Sequence, residues 1–245
     1  MIEAAHALPY NGFSVRLVHG LLDHAPDGPV RTRYGFAIEF KRTARPQATA
    51  IRKAIVSGVY EHECLEIIGR LLHSGDTAVD VGAHEGYLTL WMTTLVGRTG
   101  SVYAVEPNPE NLRFIERNIE LNAVANVTVI PKAVGDRPCV LPFRAEPDGG
   151  AWGGLAPSAS PESKPLIEVE VDTPDRLFGG LEHLELLKVD TEGTELNVFL
   201  GGEEVLLRLK PVICFEVNLT CWAHSDRSID TLLSCCGSTT IDCTS

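Results

Sequence analysis

The residue types most suited to chemistry fall in three short stretches. In VDVGAHEGYLTL (79–90), Gly82 and Gly86 enclose Ala83, His84 and Glu85, and Asp80 stands just ahead. Glu106, 24 positions beyond Gly82, is followed by Pro107 and Asn108. KVDTEGTE (188–195) and PVICFEV (211–217) add Lys188, Asp190, Glu192 and Glu216. A glycine closing a strand permits a tight turn and close backbone approach. A carboxylate at the end of the following strand can accept hydrogen bonds from two ribose hydroxyls. Together, Gly82 and Glu106 point to an adenosine-containing ligand.

Two such ligands differ sharply in charge. A pyrophosphate would sit at the N-terminus of the helix after the turn, where Glu85 would face its negative charge. The Gly-x-x-x-Gly spacing also misses the second glycine of the dinucleotide fingerprint. S-adenosylmethionine carries a sulfonium and an ammonium but no phosphate, and acidic neighbours suit it. The expected cofactor is S-adenosyl-L-methionine, with S-adenosyl-L-homocysteine as product. An NAD(P)-dependent oxidoreductase is the first alternative, and a non-catalytic cofactor-binding protein the second.

The elements that must position these residues alternate along the chain. GFAIEF (35–40) reads as a half-exposed strand. EHECLEIIGRLL (61–72) puts Cys64, Leu65, Ile68, Leu71 and Leu72 on one helical face. TAVDVG (77–82), SVYAVEP (101–107) and VTVIP (127–131) read as strands. Asn108-Pro109 offers an N-cap followed by proline at the first helical position, and that helix ends near Asn122. IEVEVD (167–172) alternates strictly, as in a one-sided antiparallel strand. LELLKVD (184–190) and PVICFEV are apolar enough to be buried on both faces. Between them Leu196, Phe199 and Leu200 recur at helical spacing before Gly201-Gly202. SIDTLLSCC and TTIDC suggest a last helix and a short strand. Alternating strands and helices predict a mainly parallel sheet, with ligands at the carboxyl ends of its strands. The long Gly/Pro/Ser-rich loop around 145–165 contains Trp152 and reads either as a substrate lid or as a mobile insertion.

The chain's 245 residues suffice for one large domain. The expected division is an N-terminal segment, 1–57, followed by a cofactor-binding domain, 58–245. A net charge of −12 argues against nucleic acid as a partner, the only short basic run being KRTAR at 41–45. No apolar run reaches the length of a membrane span and no signal peptide is evident, so a cytoplasmic location is expected. Seven cysteines include no C-x-x-C pair, so buried thiols are expected rather than a zinc site.

GVYEHE (58–63), GDTAVDVGAHEGYLTL (75–90), VYAVEPNPEN (102–111), KAVGD (132–136), LLKVDTEGTE (186–195) and PVICFEVN (211–218) together resemble the FkbM family of S-adenosylmethionine-dependent methyltransferases. KVDTEGTE is the most specific element. The resemblance implies an α/β, Rossmann-like methyltransferase fold of seven strands, a mainly parallel twisted sheet with helices on both faces. It further implies O-methylation of hydroxyls on sugars, glycans or polyketide-like natural products. On this basis Asp80, Gly82, Ala83, His84 and Gly86 form the cofactor loop. Glu106 holds the ribose beside Pro107 and Asn108, Lys132 and Ala133 lie near the adenine, and Glu61 closes over the methionine end. The family usually has asparagine where this chain has His84. Its fold would use two strands where the present C-terminus has room for one.

Methyl transfer to a hydroxyl is an in-line displacement that needs alignment and a proton acceptor. Asp190 is the expected base or the contact to the cofactor ammonium, with Glu192 and Glu216 completing an acidic floor. Lys188 joins the catalytic candidates, although a structural ion pair with one of these carboxylates is the simpler reading. Such a floor would also suit Mg²⁺, but the metal-free site is preferred.

Overall fold

The computed structural model describes residues 28–40, 53–55, 57–144, 154–155, 166–216 and 240–242. The chain begins with β1 (Val30–Arg31) and β2 (Ala37–Ile38), then α1 (His62–Leu71), β3 (Thr77–Val81) and α2 (Tyr87–Val96). A short 3-10 turn leads to β4 (Ser101–Val105), α3 (Pro109–Leu121) and β5 (Val127–Ile130). Next come β6 (Ala133–Val134), β7 (Cys139–Arg144), β8 (Gly154–Leu155) and β9 (Leu166–Asp172). α4 (Pro174–Phe178), β10 (Leu186–Val189), α5 (Glu195–Gly201), α6 (Glu203–Leu209), β11 (Val212–Phe215) and β12 (Thr240–Asp242) complete the order.

The main sheet runs β12-β11-β10-β3-β4-β5, and all its described pairings are parallel. The expected mainly parallel α/β architecture is therefore present, with six strands among the described residues. β3 (TAVDV) is buried at every position, as a central strand covered on both faces must be. One face carries Ala78, Leu186 and Cys214 under α1 and α2, packed with Leu65, Ile68, Leu90, Met92 and residues Phe36 and Ile38 from the N-terminal hairpin. The other carries Val79, Val81, Leu187, Val189, Ile213 and Phe215 against Phe178, Val198 and Phe199. From β3 the order runs outward through β4 and β5, and β10 then returns to β3's other side. The crevice between β3 and β10 is thus the switch point where such sheets place ligands.

Local chemistry sets the element ends. The Asn108 side chain accepts from the Glu110 N–H (3.0 Å), with Pro109 in the first turn of α3. Asn122 and Asn118, one helical turn apart, each bond both backbone groups of a residue in the N-terminal hairpin, Ala37 and Glu39 respectively. Two asparagines thereby replace a missing strand partner along that edge.

Two expectations need correction, and that for IEVEVD is extended. GFAIEF forms only a two-residue strand, because the asparagines of α3 take over its hydrogen bonds. IEVEVD is a strand, antiparallel to β7, but it lies in a separate four-stranded sheet, β6-β9-β7-β8, and pairs β6 in parallel. In α5, Leu196 and Phe199 are buried but Leu200 is 38% exposed, with Val198 buried instead. The TTIDC segment contributes β12, parallel to β11. KRTAR, SIDTLLSCC, Trp152 and Cys221, Cys235, Cys236 and Cys243 lie outside the described residues, as does the 145–165 loop apart from β8.

Candidate active site

β3 delivers Asp80 and Gly82 to the switch point, and β10 delivers Lys188 and Asp190 beside them, with Lys188 in register with Asp80. Asp80 has no exposed surface. Its Oδ2 accepts from Thr89 Oγ1 at 2.6 Å, and its Oδ1 lies 3.1 Å from Lys188 Nζ. Lys188 also donates to the Gly82 carbonyl (2.9 Å) and stands 3.5 Å from Asp190 Oδ2. Burial alone would push the Lys188 ammonium down, but Asp80 and Asp190 reverse this and hold it above the ordinary lysine range. Asp80 and Lys188 therefore brace the glycine turn from beneath. This burial supports a supporting role for Asp80 rather than direct contact with a ligand.

The turn itself is shaped by close approach. Gly82 has φ +77, and a Cβ at this position would overlap the Asp190 carbonyl oxygen, so the two loops touch through backbone. Replacing Gly82 with alanine combines a left-handed backbone, costing roughly 1–2 kcal/mol, with an overlap of about 1–3 kcal/mol. A loss of about 3 kcal/mol in denaturant unfolding, together with loss of cofactor binding, is expected. Wild-type stability in G82A would contradict this packing.

Beyond the turn, Glu106 is buried (4% exposed). Its two oxygens accept from the His84 N–H (2.9 Å) and the Asn108 N–H (2.8 Å), tying the glycine turn to the start of α3. Burial pushes this carboxyl up to about 7, against the backbone N–H groups of Asn108 and His84, the Asn111 side chain and Lys188. Ribose hydroxyls donate best to the ionised form. A ligand that favours that form binds more tightly as pH rises through about 7, and the gain levels off above it. S-adenosylhomocysteine affinity by calorimetry should therefore fall severalfold from pH 8 to pH 6, with a proton released on binding at the lower pH. E106Q should bind weakly and lose most of that dependence; a pH-independent wild type would refute the assignment.

Around the loop after β10, three carboxylates converge. Asp190, Glu192 and Glu216 each place an oxygen within 4.8 Å of the others. Burial, and then Asp190, Glu192 and Glu61, push Glu216 up to about 8, so near neutrality it tends to hold a proton beside Asp190. Glu192 adopts a left-handed φ of 55 before Gly193 at 103. Glu195 explains how that bend is held. Wholly buried, its Oε1 accepts from the Thr191 N–H, the Thr191 hydroxyl and the Gly193 N–H at 3.0–3.2 Å. Glu61, in a left-handed conformation ahead of α1, belongs to the same electrostatic neighbourhood, since it acts on Tyr60, Tyr87 and Glu216.

Lys132 and Ala133 have protein partners for their side chains. Lys132 donates to Asp172 Oδ2 (2.8 Å), with Glu170 3.6 Å away, and Ala133 packs against Phe143, Val169 and Val171. Pro107 and Asn108 follow Glu106 directly, and Ala83 is buried with Ala104 and Ile115. Sequence reasoning missed Thr89 as partner of Asp80, Glu195 as loop clamp, and Asn118, which donates to the Glu85 carbonyl (2.9 Å) and so steadies the turn. It also missed Tyr60, whose hydroxyl burial and the nearby carboxylates of Glu61 and Asp190 hold above the usual phenol range. The i, i+4 asparagines were the one readable signal among these.

The donor set fits an adenosyl sulfonium ligand. A turn with no room for a Cβ at Gly82, a buried carboxylate on Glu106 and the cluster of Asp190, Glu192 and Glu216 are all present, and Glu85 is buried within the turn. A model of the methyltransferase FkbM domain matches residues 80–238. The chain is 27% identical over 183 residues to methyltransferase sdnD of Sordaria araneosa, covering 61% of this chain and 68% of that protein. It is 36% identical over 87 residues to protein-L-isoaspartate O-methyltransferase of Methanococcoides burtonii, covering 36% of this chain and only 41% of that relative's length. A solved methyltransferase FkbM from Methylobacillus flagellatus KT aligns at TM-score 0.40 and 17% identity, over 70% of this chain and 44% of that one.

Proposed function

The chain belongs to the FkbM methyltransferase domain family, and from that premise we propose that it transfers the methyl group of S-adenosylmethionine to a hydroxyl of a small acceptor, a sugar, glycan or polyketide-like molecule. One observation carries the reading: the glycine turn after β3 and the acidic loop after β10 touch at Gly82 and Asp190. The place for an adenosyl ligand and the place for a base are thereby adjacent. Glu106 would hold the ribose, the turn from Gly82 to Gly86 the methionine end, and the negative floor would favour the ligand's cationic groups. When bound, the cofactor supplies an electrophilic methyl carbon on a sulfonium leaving group. Asp190 takes the acceptor's proton, Glu216 in its protonated form relieves repulsion beside it, and Lys188 steadies Asp190 from 3.5 Å. Glu61 closes the methionine end.

No described helix is long and apolar enough to cross a membrane. A thermal shift with S-adenosylhomocysteine and none with NAD is the expected result. The reverse pattern would favour the oxidoreductase. Binding without methyl transfer, across a broad acceptor panel with labelled donor, would favour a non-catalytic cofactor-binding protein. Turnover in the presence of a chelator should be unchanged, since the reading needs no Mg²⁺.

A further inference from the structure

Two cysteines far apart in sequence meet beneath this site. Cys64 on α1 and Cys214 on β11 are 5% and 1% exposed, with their sulfurs 3.7 Å apart, and neither is in a disulfide. Cys214 is in register with Lys188 on the neighbouring strand, on the sheet face that α1 covers. The Lys188 ammonium interacts electrostatically with Cys64. Cys64 lies three residues after Glu61, and Cys214 two residues before Glu216. Each thiol is thus anchored to an element whose end carries one of the acidic groups of the site.

We propose that Cys64 and Cys214 form an oxidative modification site, closing to an intramolecular disulfide that weakens binding of the methyl donor. Joining the sulfurs shortens their separation from 3.7 Å to about 2.05 Å. That movement draws α1 and β11 together and shifts Glu61 and Glu216, which flank the bridge. The oxidant is hydrogen peroxide. Cys64 sulfur attacks its O–O bond, an S–O bond forms, and the departing oxygen leaves as water with the thiol proton. Cys214 sulfur then displaces the hydroxyl from that sulfenic acid, forming the S–S bond and releasing a second water. Two thiols are oxidised and one peroxide is reduced. The Lys188 ammonium favours the thiolate form of Cys64, the form that attacks a peroxide.

The affinity readout rests on the proposed cofactor, so reduced protein is first shown to bind S-adenosylhomocysteine. Full-length protein is then treated with hydrogen peroxide, digested without reduction and mapped by mass spectrometry. The expected product is a Cys64–Cys214 linked peptide, about 2 Da below the sum of its parts. S-adenosylhomocysteine affinity should fall severalfold and recover on adding dithiothreitol. C214A, and C64A in case the first folds poorly, should show neither the linkage nor the peroxide-dependent loss. Linkage of Cys214 to Cys221, Cys235, Cys236 or Cys243, or only sulfinic and sulfonic products, would overturn the proposal. So would a Cys64–Cys214 bridge that leaves affinity unchanged.

Discussion

Replacing Lys188 with methionine is expected to destabilise the protein by about 3–5 kcal/mol, the usual cost of breaking a buried ion pair by removing one partner. Methionine keeps most of the volume and the unbranched stem, so lost packing contributes little. What disappears is the ammonium 3.1 Å from Asp80 and 2.9 Å from the Gly82 carbonyl. Asp80 then remains wholly buried beside the Thr89 hydroxyl that donates to its other oxygen. The glycine turn also loses the donor that fixes its first carbonyl. Urea midpoints at fixed slope measure the effect. Adding Asp80→Asn to Lys188→Met should restore a substantial part of the loss, because the uncompensated charge is gone. A single-variant loss below about 1 kcal/mol would mean that the pair contributes little beyond its packing.

The parallel core was legible because its strands are runs of apolar, β-branched residues separated by helical spacing, as in TAVDV and LLKV. Of the second sheet only β9 was legible, and β7 shows why. CVLPFR holds a proline that argues against a strand, yet Pro142 sits beyond the two positions that β8 covers, so its missing N–H costs the ladder little. At the site, residue types and strand ends were readable, but partners were not. An ion pair was the simpler reading of Lys188, but with Asp190, Glu192 or Glu216 as partner; strand register reveals that the nearer partner is Asp80. Glu195 stands in the first turn of α5, and its side chain also turns back to grip Thr191 and Gly193, a contact that spacing does not reveal. His84 is resolved in backbone terms. Its φ of 52 is left-handed, a region in which asparagine and histidine are both enriched. Exchange of the family's asparagine for histidine therefore preserves what the turn requires, and the backbone N–H that reaches Glu106 is the same in either residue.

Asp190→Asn carries the sharpest expectation for catalysis. A carboxylate acting as base contributes typically about 10²–10⁴-fold, and asparagine keeps the shape while abolishing basicity. Turnover should fall at least about 100-fold in a protein that still binds S-adenosylhomocysteine within a few-fold of wild type. Folding should be little affected. Asp190 is partly exposed, its side chain is the second and more distant carboxylate partner of Lys188 at 3.5 Å, and Asp80 keeps the nearer place. Its backbone N–H, which donates to the Val81 carbonyl, and its carbonyl, which meets Gly82, are unchanged by the substitution. The alternative role, contact with the cofactor ammonium, predicts the opposite division, with weakened donor binding and a smaller change in turnover at saturation. Glu216 supplies a cross-check. Because its neighbours and burial make it retain a proton near neutrality, Glu216→Gln should be the milder variant at pH 7, having replaced one neutral hydrogen-bonding side chain with another. Unchanged turnover in D190N with cofactor bound would remove Asp190 from the chemistry and leave Glu192 as the remaining carboxylate of the loop.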